Sequence, residues 1–303
     1  MSAHHTHSEP GRNNVLPVAL GLTLSFAGIE AAAGWWAGSL ALLGDAGHML
    51  TDSLALALAT LAARLARTPP SHRHSFGLVR IEVLAALVNA GFMLALVLGL
   101  SWNALARLAE PRPVAGEVVA WIAAAGLALN IAVAWILMRG TQDLNTRGAL
   151  LHVVGDALGS VAALAAGLIV TYTGWMQADP LLTLVIGALI LASTLRLARE
   201  ALHTLLEGVP VGISLPDVGK RMASVEGALS VHDLHIWSLG SERIALSAHV
   251  VLRSLDHWQR VLAAMRTLLH DEFGIEHVTL QPESVDAKVV NLVPRAATLR
   301  RDQ

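Results

Sequence analysis

The 303-residue chain is 54% hydrophobic and only 15% charged, with a mean hydropathy of +0.56. Soluble domains carry roughly 25% charged residues, so a wholly water-solvated enzyme of this length is excluded and part of the chain must face lipid. A net charge of −2 with no basic stripe argues against a nucleic-acid partner, and zero cysteines exclude disulfides and thiolate metal sites.

The charge is unevenly spread. Residues 1–210 hold 23 charged residues, and the much shorter stretch 211–303 holds 21. This predicts a membrane domain followed by a small aqueous one. Residues 1–14 are polar and carry His4, His5 and His7. They read as a cytoplasmic tail that either gathers metal or binds it only weakly, and no cleavable signal is evident.

Six stretches then reach the roughly 20 apolar residues that a span needs. They are 15–36, 39–63, 81–105, 115–138, 149–172 and 179–203. A tight Gly38-Ser39 turn joins the first two, and Pro/Gly-rich breaks separate the rest. Nine arginines flank the spans on the side of the N-terminus: Arg12, Arg64, Arg67, Arg73, Arg80, Arg139, Arg147, Arg196 and Arg199. Only Arg107 and Arg112 lie opposite. That bias places both termini in the cytoplasm.

The expected domain plan is a tail (1–14), a six-helix transmembrane domain (15–205), a linker (206–214), an α+β domain (215–290) and a C-terminal tail (291–303). In the α+β domain a helix is expected over 215–226. Strands follow over 229–238 and 243–253, around a Gly240-Ser241 turn. An amphipathic helix over 255–273 carries Val261, Leu262, Met265, Leu268 and Leu269 on one face, and a last strand covers 276–283. The order αββαβ predicts a small α+β sandwich.

Ionisable residues within spans are expensive and mark function. Span two carries Asp45, His48 and Asp52, spaced to share one helical face. Span five carries His152 and Asp156 with the same His-x-x-x-Asp spacing. Two such pairs on facing helices supply two imidazoles and two carboxylates, a tetrahedral set that Zn²⁺ favours. Co²⁺, Ni²⁺ and Cd²⁺ suit the same ligands. For Asp45 two readings stand: a ligand, or a carboxylate at the rim of the span on the ion's way in. Gly155 and Gly159 flank Asp156 as a Gly-x-x-x-Gly pair, which predicts close approach of helix five to a neighbour.

The strings SLALLGDAGHMLTD (39–52) and LHVVGDALGS (151–160) resemble those of the cation diffusion facilitators, zinc-exporting bacterial members above all. Arg73-His74-Ser75-Phe76-Gly77, Val-His-Asp-Leu-His-Ile-Trp (231–237) and Ser-Ala-His-Val (247–250) extend the likeness over nearly the whole chain. The resemblance implies a homodimeric divalent-metal/proton antiporter of the bacterial inner membrane, conferring metal resistance. It implies six spans in the lipid bilayer and a cytoplasmic ferredoxin-like domain that pairs in the dimer. Zn²⁺ would be both substrate and regulatory ligand.

On that resemblance the transport site carries over to His48, Asp52, His152 and Asp156. A cytoplasmic metal site carries over to His232, His249 and Glu283, with His235 and His277 as accessory groups. His72 and His74 are accessory candidates in a loop that otherwise reads as solvated. The strand register is open. A two-residue turn at Gly240-Ser241 sets His232 opposite His249. The apolar alternation of Ile244, Leu246, Ala248 and Val250 matches Leu234 and Ile236 better under a one-residue shift, which puts His235, not His232, on the face of His249.

No Gly-x-x-x-x-Gly-Lys-[Ser/Thr] loop, His-Glu-x-x-His helix or Gly-x-Ser-x-Gly elbow occurs. A secondary transporter is therefore expected, with cadmium, cobalt or nickel export as the nearest alternative. An intramembrane metalloenzyme and a non-transporting metal sensor are the other classes.

Overall fold

The computed structural model describes residues 15–139, 144–240 and 243–285; the side chains of 15–20, 139, 144–149 and 151–152 are outside the described set. The two tails, and with them His4, His5 and His7, lie outside the described residues. The chain divides into two compact units, residues 1–202 and 203–303.

The first unit is built from six helices: α1 (Val15–Ala37), α2 (Leu40–Ala66), α3 (Ile81–Ala109), α4 (Gly116–Arg139), α5 (Leu144–Thr173) and α6 (Ala178–Leu205). α6 runs past the division at 202, which falls just ahead of the expected 206–214 linker. Among the described residues, α2 to α6 each contain a stretch long and apolar enough to cross a membrane. α1 adds 23 residues, about 35 Å at 1.5 Å per residue, enough for a hydrocarbon core of about 30 Å. α5 begins at Leu144, inside the stretch expected as loop.

One end of the bundle is tied together by polar groups. Gly38 takes φ 67°, a left-handed turn that lets α1 pass directly into α2. Ser39 caps α2, its Oγ accepting from the Leu42 N–H. The buried carboxylate of Asp179, at the start of α6, completes the cap. It accepts from Ser39 Oγ (2.5 Å), Leu40 N (2.7 Å) and Ala41 N (3.3 Å). An anion is favourable there because helix N-termini carry unpaired N–H groups and partial positive charge. Arg107 of α3 donates to the Gly38 carbonyl.

The close helix approach lies elsewhere than expected. A Cβ on Gly155 would meet nothing within 4 Å, and one on Gly159 would meet a side chain, Asp45 Oδ1, at 2.9 Å. Backbone contact occurs between α4 and α5 at another glycine pair. A Cβ on Gly167 would lie 2.6 Å from Ala120 N, and one on Gly116 would lie 2.7 Å from Gly167 O. Around them Ala37, Ala41, Leu42, Val119, Ala123 and Ala163 form a buried small-residue core.

The second unit contains α7 (Leu215–Ala223), β1 (Ala228–Ser238), β2 (Ile244–Leu252), a 3-10 turn (Leu255–His257), α8 (Trp258–Phe273) and β3 (His277–Ser284). The sheet order is β1-β2-β3, with β1/β2 antiparallel and β2/β3 parallel. α8 is the crossover that the parallel pair requires. Its Val261, Met265 and Leu269 are buried, as the apolar spacing predicts. They pack with Val218, Met222, Ile236, Leu246 and Val250. Gly274 (φ 66°) ends α8, with Gly274 N donating to His270 O and Ile275 N to Leu269 O.

Removing the Asp179 carboxylate leaves two buried N–H groups without their acceptor. We expect Asp179→Ala to cost roughly 1–3 kcal/mol, read as a lower midpoint in thermal unfolding of the detergent-solubilised protein. Asp179→Asn retains one acceptor oxygen and should lose less.

Candidate metal centres

The helical spacing of α2 sets Asp45, His48 and Asp52 along one face. α5 brings Asp156, which is buried, to the same place. His48 Nε2 lies 3.5 Å from Asp52 Oδ2 and 3.8 Å from Asp156 Oδ1. One donor atom from each of the three falls within 4.8 Å of the others. Tetrahedral zinc with bonds of about 2.0–2.2 Å sets its ligand atoms about 3.3–3.6 Å apart, so this cluster needs little movement to close on an ion. His152 sits in α5 one turn before Asp156, and its side chain is outside the described residues.

Asp45 is buried in the second turn of α2, held by Ser160 Oγ, which donates to Asp45 Oδ2 at 3.4 Å. Asn130 Nδ2 donates to Ser160 in turn at 3.2 Å. The missing Cβ of Gly159 leaves the space this carboxylate fills. The fully buried Glu30 of α1 escapes the sequence reading, although the rule that singles out ionisable residues in spans two and five applies equally to span one.

In the second unit the register question has a two-part answer. Leu239 N donates to Arg243 O, so the pairing closes one residue later than a two-residue Gly240-Ser241 turn requires. Near the turn Ile236 faces Leu246 and His235 faces Ser247, which is the shifted register. One extra residue then enters β1 between His232 and His235, and beyond it His232 faces His249. This is a β-bulge, with Asp233 at φ 50°. Asp tolerates the left-handed region, which is the one sequence signal that could have flagged it.

β3 supplies the third group. Gln281 faces His249, so Glu283, two residues on, shares that face. Glu283 Oε1 accepts from His249 Nδ1 at 2.6 Å and Oε2 accepts from His232 Nε2 at 2.9 Å. The two imidazole rings are 5.2 Å apart. His249 and, secondly, His232 thereby hold the Glu283 carboxyl below the usual carboxylate range. Its three donors form a second possible metal group. Asp233, also missed by sequence, approaches His249 Nε2 at 3.7 Å and accepts from His235 Nε2 at 3.0 Å.

Neither possible metal group among the described residues includes His235, His277, His72 or His74. His235 is engaged with Asp233, His277 begins β3 opposite Ala245, and His72 and His74 are exposed in the loop between α2 and α3.

The family described as "Cation efflux transmembrane domain" matches residues 16–206, and "Cation efflux protein, cytoplasmic domain" matches residues 210–285. The chain belongs to the cation efflux family. It is 41% identical to the zinc transporter ZitB of Escherichia coli K12, over 93% of both chains. It is 38% identical to the cadmium, cobalt and zinc/H(+)-K(+) antiporter of Bacillus velezensis, over 94% of this chain and 92% of that one. The metal-bound C-terminal domain of a CzcD transporter is 39% identical over 23% of this chain and 99% of that structure, with a TM-score of 0.23. As a cation efflux protein this is an integral membrane transporter rather than an enzyme.

The depressed Glu283 value has a definite pH consequence. The stabilisation from its two imidazole partners is complete above about pH 4.3, the ordinary glutamate value, and is lost as pH falls through the lower folded value. Glu283→Gln should abolish this acid-side dependence. Metal-free chemical denaturation, titrated from neutral to acid pH, should show the two proteins converging in stability.

Proposed function

We propose that this protein exports a divalent cation, Zn²⁺ foremost, in exchange for protons. The observation that carries the reading is the His48/Asp52/Asp156 cluster, three metal-type donors on two helices that are each long and apolar enough to cross a membrane. His152, one turn from Asp156, supplies the fourth ligand of a two-imidazole, two-carboxylate site. A dication there offsets the charge of two carboxylates that hydrocarbon would otherwise penalise.

The chemistry of the ligands supports exchange. An imidazole's ordinary pKa is about 6.5, so protons and metal compete for it near neutral pH. A proton arriving from the far side displaces the ion and resets the carrier. Relatives named a zinc transporter and a cadmium, cobalt and zinc/H(+)-K(+) antiporter agree with this substrate class. Zinc is preferred over cadmium and cobalt here on the tetrahedral nitrogen/oxygen set.

In the same reading the His232/His249/Glu283 group takes Zn²⁺ as a regulatory ligand, the C-terminal domains pair in a homodimer, and both termini face the cytoplasm as the arginine bias requires.

Purified protein in proteoliposomes tests the transport reading. An imposed pH gradient should drive zinc accumulation, and Asp52→Ala and Asp156→Ala should each abolish it while the protein still unfolds cooperatively. Zinc flux indifferent to the gradient would sink proton exchange. Undiminished flux in either variant would remove that carboxylate from the site.

A further inference from the structure

A second set of buried polar side chains adjoins the His48 cluster. Glu30 of α1 is fully buried, and neither of its carboxylate oxygens has a hydrogen-bond partner among the described residues. Gly34 of α1 seats directly against Leu42 and Leu43 of α2, and the two helices run antiparallel through the Gly38 turn, so Glu30, one turn before Gly34 on the same face, comes level with Asp45 and Ala46. Ser160 and Asn130 serve Asp45 through the hydrogen-bonded chain described above, so Asp45 is held in place while Glu30 is left open.

Position along the helices separates this group from the transport cluster. Asp45 precedes His48 by three residues, toward the start of α2. Ser160 follows Asp156 by four, toward the end of α5. The start of α2 and the end of α5 share one end of the bundle: Ala115 N bonds Ala37 O, and Gly116 abuts Gly167 and Thr171. Asp45 and Ser160 are therefore each displaced about 4.5–6 Å toward the Gly38 end, roughly one helical turn.

A packing network satisfies its own polar atoms. This one ends on two orphan carboxylate oxygens in a hydrocarbon setting, where each such group is costly. Two carboxylates match the charge of one divalent ion, and the donors are all oxygen. Zinc holds to imidazole and carboxylate more firmly than to hard oxygens alone. Movement through a membrane protein needs successive sites, each weak enough to let the ion leave.

We propose that Glu30 and Asp45 form a second, oxygen-only subsite for the divalent cation, one helical turn from His48 toward the Gly38 end of the bundle, which receives the ion as it leaves the transport cluster. This rests on the transport reading above. Ser160 and Asn130 are positioning residues that orient Asp45.

The test uses the full chain in lipid nanodiscs, titrated with ¹¹³Cd²⁺ and followed by cadmium NMR, which separates nitrogen-ligated from oxygen-only ions. The expected spectrum contains an oxygen-only resonance beside nitrogen-ligated ones. Glu30→Gln and, independently, Asp45→Asn should remove the oxygen-only signal and lower the bound cadmium by one ion per chain. The nitrogen-ligated signal that is lost in His48→Ala should persist in both variants, which also reports an intact bundle. In proteoliposomes Glu30→Gln should slow zinc flux by roughly 10–100-fold, the range seen when groups supporting a metal site are lost. Absence of an oxygen-only signal, or a metal count unchanged in both variants, overturns the proposal and leaves Glu30 a proton-binding group. A nitrogen-ligated spectrum unchanged by His48→Ala overturns the transport-site reading instead, while the oxygen-only signal is still judged by Glu30→Gln.

Discussion

A carboxylate inside a hydrocarbon-facing bundle must meet a proton, a cation or a hydrogen-bond donor. Four buried carboxylates among the described residues of the first unit are subject to that constraint, and each meets it differently. Asp179 is answered by backbone N–H groups and a hydroxyl at the start of α2. Asp45 is answered in part by Ser160. Asp156 lies beside His48. Glu30 has no hydrogen-bonding partner among the described residues. The bundle thus grades from a carboxylate fully satisfied by protein to one whose oxygens accept no hydrogen bond from the described residues.

The Asp179 cap and the metal cluster are linked through α2. A helix whose N-terminus is fixed presents its later residues in a fixed rotation, because each residue advances the face by a constant angle. Anchoring Leu40 and Ala41 to α6 therefore also aims Asp45, His48 and Asp52. Opposite them, α5 is held against α4 by backbone contact at Gly116 and Gly167. The two helices that carry His48, Asp52 and Asp156 are thus each braced by a different neighbour.

The C-terminal sheet solves a different problem with similar means. Its apolar residues require one register to bury Ile236 and Leu246, and its histidines require another to meet. A single inserted residue in β1 permits both. The bulge turns Asp233 into the left-handed region and brings its carboxylate toward His249, so the metal-type group is assembled where the strand departs from regularity.

The sequence by itself determined everything governed by local periodicity. Six apolar runs of spanning length, the αββαβ order, the buried face of α8 and the one-face alignment of His48 with Asp52 follow from spacings of two, three and four residues. It did not determine which distant faces meet. Ser39 and Asp179 are 140 residues apart, Asp45 and Ser160 are 115 apart, and His249 and Glu283 are 34 apart. The Gly155/Gly159 pair shows the limit: its spacing is that of a close-packing motif, yet Gly159 makes room for a carboxylate and the backbone contact is at Gly167. Pairings of this kind are fixed by how helices and strands pack against non-neighbours, and no local spacing encodes that. Hence the metal-type residues and their helical faces were legible in the chain, whereas the anchoring of α2, the level at which Glu30 meets Asp45 and the bulge that joins His232 to His249 were decided only by the tertiary structure.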